Sequence, residues 1–394
     1  MKKFIPLSVP NLKGNELRYV RAAIKSEWVS TSGSMVNQFE QKIAKYVGGE
    51  GAVACQSGTA GLHLALRAAG VGQGDEVVVP ALTFIAAVNP VKYVHAEPIF
   101  MDCDEHLCMD VAKLERFCAE ECSLVDQKLI NNQTKKWIKA VIVVHVFGNM
   151  ADLERLIPLA QKYNLTVIED ATEALGTYYT DGIFKGKYAG TIGDLGVYSF
   201  NGNKIITTGG GGMLVARDGT SLKKVKYLST QAKDDELNFI HHDIGYNYRM
   251  TNLQAAVGLA QLEQLEAFIA QKRKNYASYA EDIEKINGLE LLPFREKIRP
   301  NYWFYSLYLK DPSFDRDKMI SYFAEQAIQT RPIWSLINRQ KPYISNIAYK
   351  IQRASDYQQK VINLPCSTNL TTKEVSRVVN CLKSYCKGCS SDLF

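Results

Sequence analysis

Between about residues 51 and 213, short runs rich in β-branched residues alternate with stretches whose apolar positions recur at helical spacing. The strand-like runs are 52–55, 76–79, 97–101, 140–146 and 165–168. The helix-like stretches are 59–69, 84–93, 111–121 and 151–163. Continuous apolar strands with helices between them predict a mostly parallel sheet covered on both faces. A polar insert at 122–139 interrupts the alternation and predicts a surface hairpin. Apolar residues at Leu253, Val257, Ala260, Leu262, Leu265 and Phe268 predict one long helix over 251–273. Beyond it the pattern changes, with strands expected at 289–292 and 302–309 and helices at 315–327 and 372–385. Thr371 and Glu374 have capping-box spacing for the last helix. The resulting division is a large domain over 31–274 and a smaller α/β domain over 275–394. Residues 1–30 are expected to pack with the smaller one.

Composition narrows the class without naming a chemistry. The chain has 394 residues, 46% apolar and 22% charged, enough for a sizeable core. The net charge of +6 is spread along the chain, with no basic stripe interleaved with aromatics, so nucleic acid is not an expected partner. Nine cysteines in no regular framework fit reduced thiols and a cytoplasmic setting. Cys386-Lys387-Gly388-Cys389 is a lone C-x-x-C, and a zinc site would want a second pair, so no metal is expected. The N-terminus has no apolar signal core, and no apolar run reaches membrane-spanning length.

The most informative segment is Ser199-Phe200-Asn201-Gly202-Asn203-Lys204, followed by Thr207-Thr208 and four glycines. It places a primary amine in a polar, glycine-rich turn just after an apolar strand. A desolvated lysine can lose its proton and form a Schiff base with an aldehyde cofactor. Pyridoxal 5'-phosphate (PLP) is such a cofactor, and other runs supply what it needs. Ser57-Gly58-Thr59 lies between a strand and a helix, where backbone N–H groups can hold a phosphate. Phe84 follows the second strand and could stack on a ring. Asp170 stands at the carboxyl end of an apolar strand, where open α/β sheets bind ligands, and could keep a pyridine nitrogen protonated. His145 ends the preceding strand, near cofactor or substrate. Each residue has a structural alternative: Ser57 and Asp170 as helix caps, Phe84 as core, His145 as a satisfied core histidine.

Taken together, phosphate turn, stacker, acid and lysine stand in an order that resembles the fold-type I PLP enzymes. More narrowly, the chain resembles the nucleotide-sugar aminotransferases of the DegT/DnrJ/EryC1/StrS family. The motifs carrying the resemblance are Ser57-Gly58-Thr59, Glu169-Asp170-Ala171, Ser199 to Lys204 with its glycines, and Gly245-Tyr246-Asn247-Tyr248-Arg249-Met250. The resemblance implies a large domain with a mostly parallel seven-stranded sheet between helices, and a smaller C-terminal α/β domain. It implies Lys204 as the Schiff-base lysine and Asp170 as partner of the pyridine nitrogen. It implies Phe84 as ring stacker, and Ser57, Gly58, Thr59 and Ser199 as phosphate ligands. Asn247 would reach the phosphate from a second subunit, which implies a homodimer with a shared site. Many relatives carry Gln where this chain has Glu173, so that carboxylate would sit beside the cofactor with a role of its own. The 201–208 segment, the 122–139 insert and Gln231 to Asp235 are similar to LegC-type enzymes of legionaminic acid and bacillosamine pathways.

That resemblance implies transfer of an amino group from an amino acid, L-glutamate by the family, to C4 of a nucleotide-linked 4-keto-6-deoxy sugar. Pyridoxamine phosphate would be the intermediate cofactor form. UDP-2-acetamido-2,6-dideoxy-4-ketohexose is the expected sugar. Arg249 and Arg331 are candidates for the sugar diphosphate, and His145, Asn201, His242 and Trp334 for other substrate contacts. Two rivals remain within the fold. A sugar dehydrase would replace the lysine, usually by His, and a non-catalytic scaffold would have lost Asp170 or Lys204. A nicotinamide enzyme would want Gly-x-Gly-x-x-Gly at the first strand–helix turn, where the chain has Ser57-Gly58-Thr59-Ala60-Gly61.

Overall fold

The computed structural model describes residues 3–235 and 237–391. Its main sheet has a path of eight strands. In spatial order these are Val53–Cys55, Gly212–Ala216, Leu195–Ser199, Thr166–Asp170, Trp137–Val144, Asp75–Pro80, Glu97–Met101 and Ala348–Tyr349. From Leu195–Ser199 onward every neighbour pairs in parallel, and Gly212–Ala216 runs antiparallel to both of its neighbours. All five strand-like runs of the alternation are strands of this path, and with Leu195–Ser199 and Gly212–Ala216 they make the seven that the resemblance implies. The eighth is a two-residue strand lent by the C-terminal part of the chain. The polar insert folds as a hairpin, Cys122–Val125 with Lys128–Asn131, which pairs with the start of Trp137–Val144.

Both faces of this sheet are buried, as continuous apolar strands require. Val78, Val141, Val143 and Val167 join one core, whereas Val77, Val79, Ile142 and Ile168 join a second core on the opposite face. The period-2 alternation of side chains thus separates two cores across one sheet.

Two helix expectations are corrected. The stretch 84–93 is a 3-10 turn at Ile85–Ala87 and a short helix at Asn89–Tyr93. Pro90 has no N–H and its ring clashes with the preceding turn, so it belongs at a helix start rather than an interior. The stretch 251–273 is two helices, Asn252–Leu262 and Leu265–Ile283. The first packs against Glu16–Lys25 and Ser34–Val47, the second against Thr372–Ser391. Buried Glu16 accepts from Gln261 at 2.6 Å and from Gln264 at 2.9 Å, fixing the chain where it changes direction.

A second sheet, all antiparallel, orders Leu289–Leu291, Tyr305–Leu309, Val361–Leu364 and Arg331–Pro332. Of residues 1–30, expected to pack with the smaller domain, the segment around Ile5 and Leu7 lies beside this sheet, Ile5 N donating to Ala327 O at 2.9 Å and Leu7 O accepting from Cys366 N at 2.7 Å, whereas helix Glu16–Lys25 packs on Asn252–Leu262 instead. The capping box at the last helix is formed, Glu374 N donating to Thr371 Oγ1 at 3.2 Å and Thr371 N to Glu374 Oε2 at 2.9 Å. The Cys386–Cys389 motif falls on that helix, and the Cys389 side chain lies outside the described residues. Among the described residues no helix is long and apolar enough to cross a membrane.

Candidate active site

The loops leaving the carboxyl ends of the parallel strands converge on a cavity of about 550 Å³. Ser57, Gly58, Thr59, Phe84, Asp170, Glu173, Ser199, Asn201, Lys204, Arg331 and Trp334 all line it. Eleven of the fifteen candidates are therefore gathered in one place, as the topological rule for open α/β sheets requires.

Lys204 sits in a loop closed upon itself. Phe200 N donates to Gly211 O and Thr208 N to Phe200 O, each at 2.9 Å, and Lys204 N donates to Asn201 O at 3.0 Å. Gly202 (φ +40°) and Gly209 (φ +79°) take the left-handed conformations the turn needs. The side chain is largely buried, with Nζ 3.5 Å from Glu173 Oε1 and 4.1 Å from the centre of the Trp303 ring.

Two carboxylates are buried beside it. Asp170 accepts from Thr172 N at 3.1 Å, and Glu173 Oε2 accepts from Phe147 N at 2.7 Å. Burial pushes the Asp170 carboxyl above the ordinary carboxylate range, against the pull of its Thr172 bonds and the Lys204 charge. Burial likewise raises Glu173, against the pull of Lys204 and of the Phe147 N–H. Glu173 is paired with the Lys204 ammonium, whereas Asp170 is buried with no ion pair among the described residues, an arrangement that favours a further cation such as a protonated ring nitrogen.

The opposite requirement, an anion cradle, is met by the Gly58–Ala68 helix. Ser57 caps it in extended backbone, its Oγ accepting from Ala60 N at 3.0 Å. Ser57 O takes the Gly61 N–H. The Gly58 and Thr59 N–H groups have no acceptor among the described residues and stand at the positive end of the helix. A Cβ on Gly58 would come within 2.8 Å of Thr172 Cγ2 and 3.0 Å of Ser199 Cβ, so only glycine lets these segments close. The residues present thus fit PLP: amides and hydroxyls for the phosphate, Asp170 for the ring nitrogen, Lys204 for the aldehyde.

Four candidates lie elsewhere. His145 is fully buried and does not line the cavity. Its Nδ1 accepts from Ala151 N at 3.1 Å, which puts the ring proton on Nε2, 2.8 Å from Glu169 Oε2. Both ring nitrogens are used, so the expected substrate contact is replaced by a satisfied core histidine. His242 is exposed next to the hairpin of Lys233–Asp235 and Ile240–His241, with Nδ1 3.1 Å from Asp234 Oδ2. Arg249 is turned onto Asn247, whose Oδ1 accepts from Nε at 3.2 Å and from Nη2 at 3.1 Å. Within one chain, none of these four lines the cavity.

Sequence reasoning missed Trp303 and Phe304, which line the cavity and stack at 4.1 Å with their planes 9° apart. They belong to a run read as a core strand. The strand begins only at Tyr305 because Tyr302 takes a positive φ of 56°. Thr172, Asn203, Leu7 and Asn363 also line the cavity. Thr172 could have been found as the residue two beyond the strand-end acid, where Asx-type turns donate back.

Residues 10–383 match the DegT/DnrJ/EryC1/StrS aminotransferase family. The GDP-perosamine synthase of Escherichia coli O157:H7 is 37% identical over 97% of this chain and 99% of its own length. That of Caulobacter vibrioides is 36% identical over 96% of this chain and 97% of its own. The crystal structure of the aminotransferase TlmJ from Streptoalloteichus hindustanus superposes with a TM-score of 0.87, covering 100% of both chains at 25% identity. The chain belongs to the DegT/DnrJ/EryC1/StrS aminotransferase family and is a PLP-dependent aminotransferase.

Proposed function

We propose that this chain moves an amino group from an amino acid, L-glutamate by the family resemblance, to C4 of a nucleotide-linked 4-keto-6-deoxy sugar. The observation that carries the reading is the meeting of Lys204, Asp170 and Glu173 in one cavity with the open end of the Gly58–Ala68 helix. PLP, when bound, supplies an electron sink for the carbanion formed as a C–H proton leaves. Gly58 and Thr59 N–H groups, with the Ser199 hydroxyl, hold its phosphate. Asp170 keeps the ring nitrogen protonated, which the buried carboxylate does best as an anion facing a cation. Lys204 Nζ would accept the proton from the α-carbon of the donor and deliver it to the carbon that was the PLP aldehyde, as base and then acid. Glu173 holds the ammonium form of Lys204 between these transfers.

Arg331 extends from the second sheet into the cavity mouth, beside Trp334. It is the proposed contact for the sugar diphosphate, with Trp334 and Asn201 nearer the sugar. Asn247 and Arg249 are proposed to act in the cavity of a second copy. Their own cavity is out of reach, and the neighbouring hairpin segment exposes Leu237, Phe239 and Ile244. A homodimer with shared sites follows from that reading, and a cytoplasmic setting is proposed separately, from the unpatterned cysteines. The division into a large domain at 31–274 and a small one at 275–394 is proposed with it.

The preferred sugar is UDP-2-acetamido-2,6-dideoxy-4-ketohexose, for a surface glycan of legionaminic acid or bacillosamine type. It is supported by the 201–208 segment, the hairpin insert and the 231–235 run. A second reading, a GDP-linked 4-keto-6-deoxy sugar, is favoured by the two GDP-perosamine synthases similar over the whole length. Each amino-sugar product, added separately to the PLP-loaded protein, tests the two readings. The matching nucleotide sugar is the one that bleaches the visible band in the reverse direction.

A further inference from the structure

Trp303 is held more firmly than a lining residue requires. Its N donates to Asn301 Oδ1 at 2.9 Å, and its O accepts from the buried ammonium of Lys272 at 2.9 Å. Its indole Nε1 donates to Asn203 O at 2.8 Å, next to Lys204 in sequence. One face of the ring stacks on Phe304. Lys204 Nζ stands over the ring at 4.1 Å from its centre. Asn301 is itself fully buried, and its Nδ2 donates to Glu173 O at 2.8 Å. One asparagine therefore ties together the two segments that grip the amine, Glu173 on one side and the indole on the other.

We infer that Trp303 is a positioning residue for Lys204, holding the freed ammonium against an indole face between proton transfers. A reacting lysine must leave the cofactor, keep its place and return a proton to the right carbon. An unheld four-carbon side chain loses that placement through rotamer freedom. An aromatic face attracts the ammonium and not the neutral amine, so the indole favours the form that donates. The inference rests on the proposed role of Lys204 as the proton carrier.

The test compares Trp303→Leu and Trp303→Phe with the natural chain. In the cofactor-free protein, Lys204 is acylated by acetic anhydride at fixed pH and its peptide quantified by mass spectrometry against an exposed lysine. Losing the aromatic face raises Lys204 acylation in Trp303→Leu by about 2- to 30-fold, the range a cation over an aromatic ring spans. Trp303→Phe, which keeps a face, stays within about twofold of the natural chain. In the PLP-loaded protein, kcat falls in the leucine variant and recovers in the phenylalanine variant, while KM for the amino donor holds. If Trp303→Leu does not fold, Trp303→Met replaces it. Unchanged acylation in a folded leucine or methionine variant overturns the inference. So does a phenylalanine variant as altered as leucine, which would assign the effect to the Asn203 hydrogen bond or to shape. Acylation needs neither cofactor nor sugar, so its outcome is separate from whether the loaded protein aminates a sugar.

Discussion

Replacing Asp170 by Asn changes one charge and almost no volume. The amide oxygen can still accept from Thr172 N, 3.1 Å from Oδ1 in the natural chain. What is lost is the anion, in a buried place at the wall of the cavity. Removing one partner of a buried ion pair costs about 3–5 kcal/mol. At about 1.4 kcal/mol per decade, kcat falls by about 10²- to 10⁴-fold. The cofactor-free protein moves the other way. Burial raises the Asp170 carboxyl above its ordinary value of 3.8, so the folded chain binds that proton more tightly than the unfolded chain. Its contribution to stability therefore falls as pH rises from about 3.8 through the raised folded value. Without PLP, Asp170→Asn is then more stable than the natural chain at neutral pH, and the gap closes toward pH 4. Single-turnover kinetics with the amino donor and thermal melts at several pH values measure the two effects. A variant within tenfold of natural kcat, or one less stable at neutral pH without PLP, would refute the assignment of Asp170.

Three further outcomes follow from the site. Gly58→Ala forces a methyl to within 2.8 Å of Thr172 Cγ2, so PLP affinity, read by visible titration, falls by about 5- to 150-fold for about 1–3 kcal/mol of overpacking; unchanged affinity would remove the helix end from the phosphate site. Glu173→Gln keeps an acceptor for Phe147 N and removes the charge facing Lys204. The pH at which the visible band of the PLP-loaded protein changes form moves down, and an identical titration takes Glu173 out of the chemistry. Lys204→Ala and Asn247→Ala, each inactive alone, regain activity when mixed and allowed to exchange subunits; no regain speaks against a shared site.

The chemistry of this chain is legible because its strand ends are. Asp170 ends an apolar strand, Ser57-Gly58-Thr59 and Lys204 stand in the turns that leave two others, and sheet topology brings such ends together. Where tertiary contacts override local pattern, the reading fails. The helix over 251–273 keeps its apolar spacing through Glu263 and Gln264, yet Glu16, some 250 residues earlier, fixes a bend there. Trp303 and Phe304 read as strand core because nothing local announces the positive φ of Tyr302. His145 stands at a strand end like Asp170, but its two nitrogens are claimed by Ala151 N and Glu169. Only the partners, all distant or on a turn, separate a catalytic position from a structural one.

The most direct measurement is the visible spectrum of the purified protein loaded with PLP, before and after adding UDP-2-acetamido-4-amino-2,4,6-trideoxy-glucose. A band near roughly 410–430 nm, as expected when PLP is joined to a lysine, that collapses toward the pyridoxamine phosphate form is the predicted result. It would fix cofactor, half-reaction and sugar class together. A band that persists contradicts the UDP sugar and turns the test to the GDP-linked product, and absence of any band after PLP is supplied contradicts the role of Lys204 itself.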